Sequence, residues 1–324
     1  MNRYILFLTI ISMLLTGLIA CERSSTTSIE SEVTDLEINH NQMDHSNMDH
    51  EEDDRPVPNT KGKEEVLQQE ISNSVTYWHQ QKIKGSNIKV AVLDTGIDIE
   101  NKDLKYVKGV NFVGENNDNF VDENGHGTKI SGIIGARENK YNLLGISPNT
   151  DLYIGKVADK NGNVKVENLV KGIEWAIKQN VDIINISLEF PEGDKELLNV
   201  IRKAYNNNII IISSSGNINY PGDVHTAYPG AYPEVISVGM LNVDGGIFSD
   251  EFKQKDVDVF APGEDIFSTY FNDKMTLDTG VSFATAYTTG YAALLLQSYQ
   301  EKDIKYNMSM VKKDLKEYLE SKIL

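Results

Sequence analysis

Several things are scarce in this 324-residue chain, and each shortage narrows what it can be. There is one cysteine, Cys21, so no intramolecular disulfide can form. There is no basic excess. Lys and Arg number 31 against 48 Asp and Glu, a formal charge of -17, and a nucleic-acid backbone would be repelled. Histidine is rare: three of the six lie in one acidic stretch, leaving His79, His126 and His225 in the search for a general base. The N-terminal apolar run is short for a stable membrane-spanning helix. The surroundings of Ser282 are not G-x-S-x-G, so the strand-to-helix elbow of many hydrolases does not apply.

What is present begins with "MNRYILFLTIISMLLTGLIAC", in which Arg3 precedes an apolar run from Ile5. Residues 1–20 therefore read as a secretory signal. The ending "LIAC" resembles a bacterial lipobox, which implies lipidation of Cys21 and a chain anchored on the extracytoplasmic face of the membrane. A plain signal peptide with an incidental cysteine is the alternative. Residues 21–65 are acidic and poor in aromatics, and carry about half of the negative excess. They bury too little apolar surface to fold alone and read as a disordered tether. Within it "QMDHSNMDHEEDD" repeats M-D-H at Met43 and Met48, which resembles copper-handling repeats and would suit a soft metal. A solvated acidic linker is the plainer reading.

From residue 66 to about 305 the pattern is that of a folded domain, with a helical tail over 306–324. "NIKVAVLD", "DLYIGKVA", "VDIINIS", "NIIIISS" and "EVISVGM" are short, β-branched and mostly unalternating, as buried parallel strands are. Between them, "VENLVKGIEWAIKQN" puts Leu169, Ile173, Ala176 and Ile177 on one helical face. "DKELLNVIRKAYNNN" does the same with Leu197, Leu198, Ile201 and Ala204. The expectation is an α/β fold with a mostly parallel central sheet flanked by helices on both faces, its site at the carboxyl ends of the strands.

Four residues at such places could carry chemistry. Asp94 ends the strand "KVAVLD", where an isolated aspartate would simply start a turn. His126 opens a helical pattern between Gly125 and Gly127, so backbone or substrate can approach its ring. Asn217 follows a strand in "SSSGN", as a turn former or as a donor to an oxyanion. Ser282 opens the helical "SFATAYTTGYAALLLQ", as an N-cap or as a nucleophile at a positive helix end. Acyl transfer needs a nucleophile, a base, a carboxylate to orient the base, and oxyanion donors.

In the chain order Asp, His, Asn, Ser, the blocks "VAVLDTGID", "NGHGTKISGIIG", "SSSGN" and "TGVSFATAYTTGYAALL" resemble the signature blocks of the subtilases, the subtilisin-like serine peptidases. The resemblance covers about residues 75 to 300. It implies a subtilisin-like fold and a serine endopeptidase acting on peptide or protein substrates, with no cofactor required for chemistry. Carried over by position, Asp94 orients His126, His126 is the general base and acid, and Ser282 is the nucleophile. Asn217 and the Ser282 backbone N–H would form the oxyanion hole. Ser187, Leu188 and Glu189 would lie on the substrate-docking strand, with Ser213, Ser214, Ser215 and Ala227 lining the specificity pocket. The family also implies a structural Ca²⁺, with Asp103 in "NKDL" and Asn139 in "RENKYNLLG" as ligands; solvated loop residues are the alternative.

The sequence departs from the family's pattern in places. Val281 stands for the usual threonine and Ala286 for the usual proline of the serine block, which should spare the helix and tune activity. Glu189 replaces a glycine, where it would either clash with substrate or favour a basic side chain upstream of the cut. The stretch after Cys21 is too short and acidic to resemble a folded pro-domain. Two other readings are carried along: a catalytically inactive subtilase fold that only binds, and a metal-binding surface lipoprotein.

Overall fold

The computed structural model describes residues 75–139, 143–216, 226–249 and 256–323. The signal segment, Cys21, the Met/His tether, Asn217 and His225 lie outside the described residues.

Seven strands form one sheet: β1 (Lys89–Asp94), β2 (Tyr106–Asn111), β3 (Asp151–Lys156), β4 (Ile183–Ile186), β5 (Ile210–Ser214), β6 (Ile236–Leu241) and β7 (Val259–Pro262). Their order is β2-β3-β1-β4-β5-β6-β7, and every pairing is parallel. A separate antiparallel hairpin joins β8 (Ile266–Thr269) to β9 (Met275–Asp278). The described helices of eight residues or more are α1 (His126–Gly135), α2 (Val166–Gln179), α3 (Lys195–Asn206), α4 (Val281–Glu301) and α5 (Met308–Ile323).

Both faces of the sheet are covered, which is why its strands read as unbroken apolar runs. Val90 and Val92 of β1 face one core with α1, α4 and α5, while Ala91 and Leu93 face the other with α2 and α3. In β5, Ile210 and Ile212 point to the first core and Ile211 to the second. Each valine, leucine or isoleucine among them, fully withdrawn from water, contributes roughly 1.5–3 kcal/mol.

The helices follow from their apolar spacing and caps. In α2, Leu169, Gly172, Ile173 and Ala176 are buried, and Asn180 ends the helix in a left-handed conformation. In α3, Asp194 caps the start by accepting from the N–H groups of Glu196 and Leu197, and Leu197, Val200, Ile201 and Ala204 face the core. Helix α4 is different, buried on nearly every side and built largely of Ala, Thr and Leu. It passes so close to Ile146 that a Cβ at Gly290 would lie 2.7 Å from the Ile146 Cβ. Ala286 sits inside α4 without interrupting it, as expected of an alanine in place of proline. The 306–324 segment is helical over Met308–Ile323, and Met308, Val311, Leu315 and Leu319 bury it in the first core. Among the described residues, no helix is long and apolar enough to cross a membrane.

This topology places β1 between β3 and β4, with the chain leaving it first to one side and then to the other. A crevice at the carboxyl ends of strands is the expected result at such a reversal. Asp94 is the last residue of β1, and Ser187 follows β4 directly.

Candidate active site

Asp94 is 1% exposed and its Oδ1 lies 2.8 Å from His126 Nδ1. The same oxygen accepts from the Thr95 N–H at 2.7 Å. A carboxylate facing Nδ1 holds the proton there, leaving Nε2 directed elsewhere as the basic nitrogen. Burial alone would lower the basicity of His126, but the charge and hydrogen bond of Asp94 outweigh it, and Asp122 adds to them. Lys129 opposes them. The net result is a pKa above the ordinary 6.5. His79, by contrast, contacts the Ile146 carbonyl and is lowered by burial, so it is not equipped as a base at this place.

Two glycines explain how His126 reaches Asp94. Gly125, before α1, is left-handed at φ 100°, and a Cβ at Gly127 would lie 2.3 Å from the Gly96 carbonyl. The closeness serves backbone packing of the helix start onto the turn after β1.

Asp122, which sequence reasoning passed over, ties the two blocks together. Its Oδ1 accepts from Thr95 Oγ1 and from the N–H groups of Asn124 and Gly125, all at 2.9 Å. Its Oδ2 accepts from Thr128 N at 2.9 Å and Thr128 Oγ1 at 2.6 Å. Thr95 Oγ1 in turn accepts from Gly127 N at 2.9 Å. One buried carboxylate thereby sets the turn that carries His126 and the turn that follows Asp94. The turn-forming "DENGH" was its only trace in the sequence.

Ser282 is the second residue of α4, behind Gly280 at the cap, so it is not the N-cap. Its Oγ donates to the Ser187 carbonyl at 3.2 Å, and Ser187 Oγ donates to the Ser282 carbonyl at 3.2 Å. Asn185 Nδ2 donates to Ser187 Oγ at 3.1 Å, and Thr289 Oγ1 donates to Asn185 Oδ1 at 2.8 Å. This chain of polar contacts fixes the start of α4 against the end of β4. The His126 ring lies 6.1 Å, centre to centre, from that of Phe283, next to Ser282. No hydrogen bond joins Ser282 Oγ to His126 in this arrangement.

Lys129, one turn after His126, is a further unanticipated member. It is almost fully buried, pairs with Asp278 at 2.6 Å, and sits 5.7 Å from the Phe283 ring centre. A lysine amid the apolar "KISGII" was the available signal.

The expected substrate wall is partly assembled. Glu189 and Ser214 come together, with Ser214 Oγ donating to Glu189 Oε2 at a long 3.5 Å. Leu188 packs into the second core, and Ser213 Oγ donates to the Ile186 carbonyl at 2.9 Å, so both support the wall from behind. Ser215 and Ala227 are joined by an Ala227 N–H to Ser215 carbonyl bond of 3.0 Å.

For calcium, Asp103 and Asn139 do meet, but Asn139 Nδ2 donates to Asp103 Oδ1 at 2.6 Å. Ca²⁺ takes about six to eight oxygen ligands. Among the described residues, no group of three or more His, Cys, Asp or Glu side chains gathers to hold a metal.

A family model described as "Subtilase family" matches residues 85–323. Subtilisin DY of Bacillus licheniformis is 38% identical over 220 residues, covering 68% of this chain and 80% of the relative. The "Intracellular serine protease" of Paenibacillus polymyxa is 40% identical over 236 residues, covering 70% and 72% respectively.

Proposed function

We infer, from the premise that the chain belongs to the subtilase family and is a serine endopeptidase, that Asp94, His126 and Ser282 are the residues that cut the peptide bond. The observation that carries this reading is the 2.8 Å contact between the buried Asp94 carboxylate and His126 Nδ1, beside the start of the helix bearing Ser282.

Ser282 Oγ leaves the Ser187 carbonyl, attacks the scissile carbonyl carbon and passes its proton to His126 Nε2. Asp94 stabilises the resulting imidazolium and keeps the ring in place. The oxyanion accepts from the Ser282 N–H, one of the helix N–H groups without an intrahelical partner. Asn217 supplies a second donor in this reading. His126 then protonates the leaving amine, and water deacylates Ser282 by the same steps in reverse. No cofactor is needed for this chemistry.

The N-terminal segment extends the proposal to a place. Lipidation at Cys21 would hold the peptidase on the extracytoplasmic membrane face, where the tether raises its effective concentration toward exported or surface peptides. A fold that binds without cleaving has one observation in its favour: Ser282 Oγ is hydrogen-bonded to Ser187 rather than to His126. Comparing new N-termini in cells carrying the native chain and Ser282→Ala separates the two. Cleavages lost in the variant support the peptidase reading, and identical N-termini in both support the binding module.

A further inference from the structure

We propose that the Lys129–Asp278 ion pair is a positioning device for the reaction, fixing the helix that starts with His126 against the strand that leads into Ser282. The step rests on His126 and Ser282 being the general base and the nucleophile.

A lysine inside an apolar helix is costly unless its charge is met. Lys129 is 5% exposed, and its Nζ lies 2.6 Å from Asp278 Oδ2. Where the two residues stand matters as much as their pairing. Lys129 follows His126 by three positions in α1, so the two side chains share a helix face. Asp278 ends β9, and Ser282 follows four residues later at the start of α4. The pair therefore spans from the element that carries the base to the one that delivers the nucleophile. Asp278 is held in direction as well, because its Oδ1 accepts from the Thr279 N–H at 2.8 Å.

Two aromatic rings flank the ammonium. Lys129 Nζ is 5.9 Å from the Tyr270 ring centre and 5.7 Å from that of Phe283. Phe283 is the residue after Ser282, and its ring centre lies 6.1 Å from that of His126. It is thus a neighbour of the base, the ammonium and the nucleophile at once. The β8–β9 hairpin completes the grip on α1. Thr269 Oγ1 donates to the Thr128 carbonyl at 2.8 Å, and Ser268 Oγ donates to that of Lys129. A Cβ at Gly132 would lie 2.2 Å from Thr269 Oγ1, so α1 packs on β8 with no room for a side chain there. The hydroxyls tie α1 to β8; the ion pair ties it to β9, whose end sets where α4 begins. An apolar contact covers surface without fixing a direction, whereas a charged hydrogen bond sets both distance and angle. A displacement of about 1 Å between reacting groups can cost roughly a hundredfold in rate, so such a latch bears on kcat.

The test measures kcat and KM of the full chain on one peptide substrate. Active sites are counted by fluorophosphonate labelling of Ser282, so that misfolded molecules drop out. Lys129→Met, Asp278→Asn and the double variant are compared with the native chain. Each single variant is expected to lose about tenfold in kcat per labelled site, with KM changed by less than about twofold. The double variant should lose about as much as either single one, instead of roughly a hundredfold, because the two residues act as a unit. A kcat within about twofold of native in both single variants, or losses that multiply in the double one, overturns the proposal. Labelling of Ser282 in the native chain beside unaffected variants removes this inference alone. Absence of labelling at Ser282 in folded native chain removes the nucleophile, and this inference with it.

Discussion

Ser187 and Ser282 hold one another by reciprocal hydrogen bonds, each hydroxyl donating to the other's backbone carbonyl at 3.2 Å. The pair joins the end of a central strand to the start of the most buried helix, and so positions Ser282, the proposed nucleophile, relative to the sheet. Ser187 Oγ also accepts from Asn185 Nδ2, which in turn is held by Thr289. In Ser187→Ala the Asn185 amide loses its acceptor in a fully buried place, a cost of roughly 1–3 kcal/mol. For a domain of this size, about 2–4 °C of melting temperature follows each kcal/mol. Thermal unfolding of Ser187→Ala should therefore show a loss of several degrees, and an unchanged melting temperature would remove the network from the account.

The pH dependence of activity follows from His126. On the roles proposed for His126 and Ser282, only the neutral imidazole takes the Ser282 proton, so activity should fall as pH drops through its pKa, which Asp94 holds above 6.5 despite burial. In Asp94→Asn that support is lost, the acid limb of kcat/KM should move to lower pH, and kcat should fall roughly ten-thousandfold. A limb that moves upward, or a rate close to the native one, contradicts the pairing. The stability consequence has the opposite sense to activity. A folded pKa raised above the unfolded value of about 6.5 stabilises the fold fully below that pH and loses the contribution as pH rises through the folded value. The neutral state of His126, the one the proposed mechanism uses, is thus the one in which Asp94 stabilises the fold less.

Lys129 gives a prediction of opposite sign. Its charge lowers the pKa of His126, and its ammonium pairs with Asp278. Lys129→Met should therefore move the acid limb to higher pH, which a pH–rate profile on a single peptide would detect. A shift downward would mean that the pair acts on His126 through packing and not charge.

Asp122→Ala removes the acceptor for donors from Thr95, Asn124, Gly125 and Thr128 at once. Leaving several buried donors unmet should cost about 3 kcal/mol or more. Denaturant unfolding should show the midpoint falling by that equivalent, with kcat lowered because the His126 and Asp94 turns lose their common tie. A variant that unfolds at the native midpoint would show the carboxylate to be dispensable.

What was legible in the sequence follows from how each part is stabilised. Strands β1, β3, β4, β5 and β6 announce themselves because both faces are buried, leaving β-branched runs such as Ile209–Ile212. Edge strand β2 does not, since Val107 and Lys108 are exposed and the segment has a neighbour on one side only. The β8–β9 hairpin likewise leaves Phe267, Met275 and Leu277 exposed, with no apolar run to mark it. Asp94, His126 and Ser282 stand out because their blocks carry unusual small-residue flanks. Asp122 is hidden by the nature of its partners, which are mostly backbone N–H groups of a turn whose shape the sequence only suggests. The helical tail expected over 306–324 is helical over Met308–Ile323, and the spacing of Met308, Val311, Leu315 and Leu319 gives it a packed face that its polar surroundings conceal in the sequence. Asp103 and Asn139 were expected as fellow metal ligands, and their contact is a hydrogen bond that consumes one carboxylate lone pair.

The most direct measurement is fluorophosphonate labelling of the full chain, followed by mapping of the modified residue by mass spectrometry. The account predicts a single adduct on Ser282, lost in His126→Ala because the hydroxyl is then no longer activated. An adduct on another serine, or none on correctly folded native chain, would contradict the assignment of Asp94, His126 and Ser282 as the catalytic residues.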